Sequence, residues 1–154
     1  MPATYSIDPQ RRLVHSVASG VLTIHDVAEH YRLIRADPAF DPSFCQLADL
    51  RAVERIDLDP GALRSEALAP IFAPMSRRAF VGSSDVQFGM ARMYGTYSEG
   101  AQQLINVFRD LDRAMDWLGL DGPVGSRPGP PDEPRARGTD SPDGMGNGGS
   151  KLSV

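Results

Sequence analysis

Four times along this 154-residue chain a short apolar run gives way to a small polar residue. Apolar residues spaced three and four apart then follow. The junction residues are Thr23, Asp59, Ser84 and Asp110. Each carries an oxygen that accepts from the free N–H groups in the first turn of a helix. Asp26 and Gln87, three residues beyond Thr23 and Ser84, complete capping boxes, the first an aspartate variant. Pro60 follows Asp59 at the first helical position, where its missing N–H costs nothing. Strands that alternate with single helices in this way require crossovers, which are right-handed and build a largely parallel sheet.

The remaining elements fit around these junctions. Thr4–Ile7 and Arg12–Ala18 read as an antiparallel hairpin turned at Asp8, Pro9, Gln10 and Arg11. Ser19 and Gly20 break or bend the second strand. The first helix carries Ile24, Val27, Ala28, Tyr31 and Ile34 on one face and stops before Pro38. Phe44–Leu50 reads as a third strand and Arg51–Leu58 as a loop. The second helix follows with Leu63, Ala67 and Ile71 as its stripe, closed by Pro70 and Pro74. Arg78–Gly82 is the fourth strand. The third helix places Val86, Gly89, Met90, Met93 and Tyr97 on one face, with Gly89 expected to allow close approach to the sheet. Leu104–Phe108 is the fifth strand, and the last helix has Leu111, Ala114, Met115 and Leu118 inward and Gly119 at its end. The expected class is α/β: a single domain with a five-stranded, mixed but mostly parallel sheet and about four helices, in the order β-β-α-β-α-β-α-β-α.

Composition sets the limits of this domain. From residue 121 to 154 there are 8 Gly and 6 Pro, and the large apolar residues are Val124, Met145, Leu152 and Val154 alone. Such a segment buries too little apolar surface to offset the entropy of ordering it, so it is expected to be a disordered tail behind a domain at 3–120. The net charge is -4, without a basic run, which does not suggest nucleic acid. Cys45 is the single cysteine, which excludes an intrachain disulfide. No apolar stretch approaches membrane-spanning length, and the N-terminus lacks a secretion pattern. The expectation is a cytoplasmic protein with no membrane insertion.

Three stretches carry a resemblance to a known family: Gln46–Leu50, then Ile56 and Asp57 with Gly61–Leu63, and Val107–Leu118. Over about residues 4–119 the sequence resembles the STAS domains, the SpoIIAA-like fold of anti-sigma-factor antagonists, and in particular the small stand-alone bacterial proteins of that fold. In the antagonists the segment after the third strand reads Asp, a small residue, Ser, Gly, Leu, and a partner kinase phosphorylates that serine. Here Asp57–Leu63 holds no Ser or Thr, and Asp59 stands in the cap region. The resemblance therefore implies a regulatory or protein-interaction module, but no phosphorylation site carries over.

Loops leaving the carboxyl ends of parallel strands line a common edge where ligands bind. The residues expected there are Arg51, Asp57, Asp59, Gly61, Ser83, Ser84 and Arg109. Asp59 and Ser84 also serve as caps, and the arginines suit surface ion pairs. His25 and Glu29 share a helix face while His30 points elsewhere, which does not make a metal-binding pattern. His15 reads as structural, and Cys45 as a buried, inert thiol. No nucleophile elbow, phosphate loop or dinucleotide fingerprint is present. The expectation is a non-enzymatic module, without cofactor or metal, that binds a protein partner through this edge. The alternative is binding or sensing of a small apolar or anionic ligand. Met90, Met93, Tyr94, Tyr97 and Trp117 read as core; otherwise the third and last helices frame an apolar pocket or a homodimer face.

Overall fold

A computed structural model describes residues 2–120, and the expected tail at 121–154 lies outside the described residues. Five strands form one sheet in the spatial order β1-β2-β3-β4-β5. They are β1 (Ala3–Asp8), β2 (Leu13–Thr23), β3 (Cys45–Asp57), β4 (Arg77–Val81) and β5 (Leu104–Phe108). Four α-helices connect and follow them: α1 (Ile24–Ala36), α2 (Pro60–Ala67), α3 (Asp85–Ser98) and α4 (Leu111–Leu118), with a short 3-10 turn at Glu99–Ala101. β1 pairs with β2 antiparallel, and the other three pairings are parallel. The mixed, mostly parallel α/β class read from the sequence is the class observed.

All four caps form. The Thr23 hydroxyl accepts from the Asp26 N–H, Asp59 accepts from Ala62, Ser84 from Gln87 and Asp110 from Asp112. Gly119 ends α4 with φ 78°, the left-handed conformation that glycine adopts without a Cβ penalty. Helices α1, α2 and α3 cover one face of the sheet, and Ala18, Leu22, Leu50, Leu63, Phe80, Ala91 and Tyr94 form the core there. α4 covers the other face, where Leu13, Leu47, Ala79 and Val81 meet Ala114, Met115 and Leu118.

Two boundaries differ from the sequence reading. Ser19 and Gly20 bend β2 without ending it, and the strand runs on to Thr23. The segment expected as a loop, Arg51–Leu58, is strand as far as Asp57. The cause is a pair of bulges in β3. Val17 pairs with Asp49 but Ser19 with Ala52, and Gly20 pairs with Val53 but Val21 with Arg55. Each bulge inserts one residue and flips the phase of the strand. Leu50 and Val53 are both buried, and Ile56 packs against the same core. Apolar residues therefore recur every third position, where an unbulged strand alternates in twos.

The third helix packs Met90, Met93 and Tyr97 against the core as expected, but its most buried line is turned away from Val86 and Gly89. Its buried residues are Gln87, Ala91, Tyr94 and Ser98, while Val86 is 66% exposed and Gly89 faces open space. The close approach occurs instead at Gly82, just after β4, where a Cβ would stand 2.9 Å from the Gln87 Cβ and the Phe88 nitrogen. That contact lets Gln87 reach the β3 extension, donating to the carbonyls of Arg51 at 3.2 Å and Val53 at 2.7 Å. The second helix stops at Ala67, so Ile71 lies beyond its end. Cys45 is half-buried, and burial pushes its thiol above the usual range.

Candidate functional site

The α1–α3 face of the sheet carries a polar row inside an otherwise apolar layer. Parallel register makes Gln46 the Cα partner of Arg78, and Ser16 lies two residues beyond Val14, the partner of Gln46. Strand alternation points Ser16, Gln46 and Arg78 to the same face as Ala18, Ala48 and Phe80. Gln103, immediately before β5, closes the row. All four are buried, Gln46 at 0% and Arg78 at 1% exposure.

Arg78 is the centre of this row. Its Nε donates to Gln46 Oε1 at 3.0 Å and its Nη1 to Gln103 Oε1 at 3.1 Å. Its Nη2 donates to the hydroxyls of Tyr31 and Tyr94, both at 3.0 Å. The guanidinium also lies 4.7 Å from the Phe72 ring centroid and within cation–π reach of Phe80, Tyr31 and Tyr94. Burial works against its charge, but Tyr94 and Tyr31 outweigh that and the net shift is upward. Ion pairs join Arg32 to Glu29, Arg51 to Asp49 and Arg109 to Asp85, and none of these includes Arg78. Arg78 thus holds a buried positive charge with neutral partners only, an arrangement that is costly unless every donor is matched.

Next to this charge is a cavity of about 60 Å³. Its lining is mostly apolar, with Leu22, Val27, Leu50, Leu63, Phe80 and Met90 among its walls, and includes Ser16, His30, Tyr31, Gln46 and Tyr94. His30 Nε2 lies 2.8 Å from Ser16 Oγ, and Gln46 Nε2 donates to that same oxygen at 3.1 Å. The edges of Tyr5 and Tyr31 flank the imidazole. Burial drives the His30 pKa down to about 4, so the ring is neutral at pH 7. Burial likewise pushes the Tyr31 phenol upward.

The residues expected at the loop edge fall into two groups. Arg51, Ser83, Ser84 and Arg109 lie where β3, β4 and β5 meet in register, near Asp49, Val81 and Phe108. Arg51 makes a two-pronged bond to Asp49 at 2.9 and 2.8 Å. Half-burial raises the Asp49 pKa, but these bonds and the backbone bond from Arg51 outweigh it and lower it overall. Arg109 donates to the Ser83 carbonyl at 3.1 Å and to Asp85 at 2.8 Å, with its guanidinium 4.4 Å from the Phe88 ring centroid. Asp57 closes β3 eight residues beyond Asp49, and Asp59 and Gly61 follow it, so these three stand at the far end of the β2–β3 ribbon. Glu29 bonds Arg32 at 2.6 and 2.8 Å, and His25 is exposed.

Sequence reading passed over Ser16, Gln46, Arg78 and Gln103 because each sits in or beside an apolar run where one polar residue reads as a strand boundary. The available signal is their phase. Gln46 leads Ala48 and Leu50 by two and four, and Arg78 leads Phe80 by two, so both polar residues occupy positions that alternation turns inward.

This architecture is the SpoIIAA-like α/β fold. It matches the crystal structure of an uncharacterised protein of the DUF3478 family with a SpoIIAA-like fold, from Shewanella loihica PV-4. The match has 20% identity and a TM-score of 0.54, and covers 75% of this chain and 93% of that one. No family model matches the chain, and neither does any curated protein. No helix among the described residues is long and apolar enough to cross a membrane.

Proposed function

We propose that the protein is a non-enzymatic binding module that holds a small ligand in the cavity between the sheet and helices α1, α2 and α3. The cavity itself carries this reading: it is enclosed by mostly apolar walls, among them Leu22, Leu50, Leu63, Phe80 and Met90, beside the polar side chains of Ser16 and His30. Ser16 and His30 are within hydrogen-bond reach of each other, but among the described residues no carboxylate bonds the imidazole, and the serine oxygen already accepts from Gln46. That arrangement favours holding a ligand over activating a nucleophile.

Ala48 lines the cavity and is 4% exposed. Native mass spectrometry of the full chain, taken directly from a cell extract, should show an added small mass. Ala48→Leu, which fills the space, should give the bare chain while keeping the wild-type circular dichroism. A wild-type protein that emerges bare would defeat the reading.

A second reading has an observation of its own. The β2–β3 ribbon runs past the end of β4, and Val21 on it is 45% exposed. An exposed ribbon edge is a natural seat for another chain. This supports a regulatory protein partner docking near Asp57, Asp59 and Gly61. In the same preparation, a polypeptide retained by wild type and lost with Asp59→Lys would favour it; an unchanged set would count against it.

A further inference from the structure

We propose that β5 is a self-pairing edge: two copies of this chain join antiparallel through the Ile105 backbone about a two-fold axis, and Arg92 of each copy faces Glu99 of the other. This pairing goes beyond the ligand-binding reading and is independent of the cavity.

The first ground is an open edge. β5 ends the sheet, and among the described residues its ladder partner is β4 alone. Proteins commonly protect such an edge with a charge, a proline or a bulge. Leu104–Phe108 holds none of these: it reads Leu-Ile-Asn-Val-Phe and pairs with β4 without a register shift. The opposite edge, β1, carries the polar Thr4, Ser6 and Asp8 instead.

The second ground is register. The Phe108 carbonyl accepts from the Gly82 N–H at 3.0 Å, so Phe108 turns its backbone groups toward β4. Alternation then turns those of Ile105 and Val107 outward. The Val107 N–H is already closed by the Asn106 side chain at 3.0 Å. Ile105 is left as the β5 residue whose outward N–H and C=O meet neither a strand nor a side chain among the described residues. Two antiparallel copies that exchange these two bonds place their two-fold axis at Ile105.

The third ground is charge. α3 lies over β5, where a Cβ on Gly95 would stand 3.3 Å from Ile105 Cγ2. Beside this contact runs a groove of about 540 Å³, and Phe88, Arg92, Gly95, Thr96 and Glu99 form its helical side. An axis at Ile105 brings the two antiparallel α3 helices together near Gly95. Arg92 and Glu99 lie three residues before and four residues after that glycine, so each Arg92 meets the other copy's Glu99. Both residues are exposed, and neither belongs to the ion pairs of Arg32, Arg51 and Arg109. A foreign strand could take the same backbone bonds. The matched spacing of opposite charges about Ile105 is what selects a second copy, because a two-fold interface must be complementary to itself.

Sedimentation equilibrium of the full chain at pH 7 reads the association directly. At about 100 µM the wild type should give a mass well above the 16.7 kDa of one chain, toward twice that value. Arg92→Glu and Glu99→Arg each set like charges opposite one another and should weaken the association at least about tenfold. In an equimolar mixture of the two variants every such contact is again of opposite sign, so the mixture should regain an affinity close to that of wild type. Recovery on mixing also shows that both variants are folded. In ¹H–¹⁵N spectra the Ile105 amide should shift with concentration more than the Val107 amide. A wild type that stays at the mass of one chain overturns the proposal. So does a dimer that neither variant weakens, one that mixing does not restore, or one that leaves the Ile105 amide unmoved. The mass of one chain plus a smaller polypeptide would give the edge to a foreign strand and overturn it too.

Discussion

Replacing Arg78 by methionine is expected to lower the unfolding free energy by about 4 kcal/mol. Methionine fills much of the space of the arginine stem, so the loss is chiefly one of hydrogen bonding. The oxygens of Gln46 and Gln103 are buried and would lose their Arg78 donors, each at about 1–3 kcal/mol. The two tyrosine hydroxyls suffer less, because an O–H can rotate to another acceptor. Against a typical stability of about 5–15 kcal/mol this is a large fraction. Gln46→Leu in the same chain removes one stranded oxygen, while Ser16 retains its bond to His30. The double variant should therefore recover about 1–3 kcal/mol relative to the sum of the two single losses. Urea denaturation with an unchanged m-value measures both quantities. A loss under about 1 kcal/mol for Arg78→Met, or strict additivity with Gln46→Leu, would mean that the network does not bind its members together.

The contrast between what the sequence shows and what it hides has a physical basis. The caps at Thr23, Asp59, Ser84 and Asp110 are local chemistry: a side-chain oxygen meets an N–H two or three residues away, so sequence distance and spatial distance coincide. Those four junctions, together with the turn at Asp8–Arg11, were enough to order the strands and helices. The β3 extension was hidden because its two bulges convert an alternating pattern into one that repeats every third residue, at Leu50, Val53 and Ile56. The inward face of α3, legible in Met90, Met93 and Tyr97, was partly misplaced for a related reason. Gln87 and Ser98 are buried polar residues on that face, Gln87 bonded to β3 carbonyls and Ser98 to Tyr94, and a count of apolar residues alone shifts the stripe toward Val86 and Gly89.

The polar row was the least legible feature. Ser16, Gln46, Arg78 and Gln103 come from four separate stretches, and only the parallel register brings them together. The loop edge failed to cohere for the opposite reason. Arg51 and Asp57 are near in sequence, but the strand between them carries them apart, while Arg51 meets the loops after β4 and β5. The tail at 121–154 lies outside the described residues. Within them, the concentration of buried polar bonding lies on the α1–α3 face, away from both halves of that edge.

The second large effect is expected on lowering the pH, and its source is His30. The ordinary imidazole pKa is 6.5, and burial brings it to about 4 in the folded protein. Between those values the unfolded chain binds a proton that the folded one excludes, so the unfolding free energy rises with pH across that window. The stability is fully present above pH 6.5 and is lost as the pH falls toward 4. The loss comes to about 3 kcal/mol, at 1.36 kcal/mol for each unit of difference. The groups around the ring are Ser16 on β2, Tyr5 on β1 and Tyr31 on its own helix, none of them a carboxylate to compensate the imidazolium. His15 is shifted in the same direction, less strongly, because the Asp49 charge opposes its burial. The diagnostic is therefore a difference between two chains. His30→Gln keeps an amide able to bond Ser16 but cannot titrate. Its unfolding free energy, measured in urea at pH 7 and pH 4.5, should fall less than that of wild type by about 2–3 kcal/mol, while His15→Gln should lessen the fall by a smaller amount. An equal fall in wild type and His30→Gln would place the acid sensitivity elsewhere. A His30 ring titrating near 6.5 by NMR would show that the imidazole is not held buried and uncharged against Ser16.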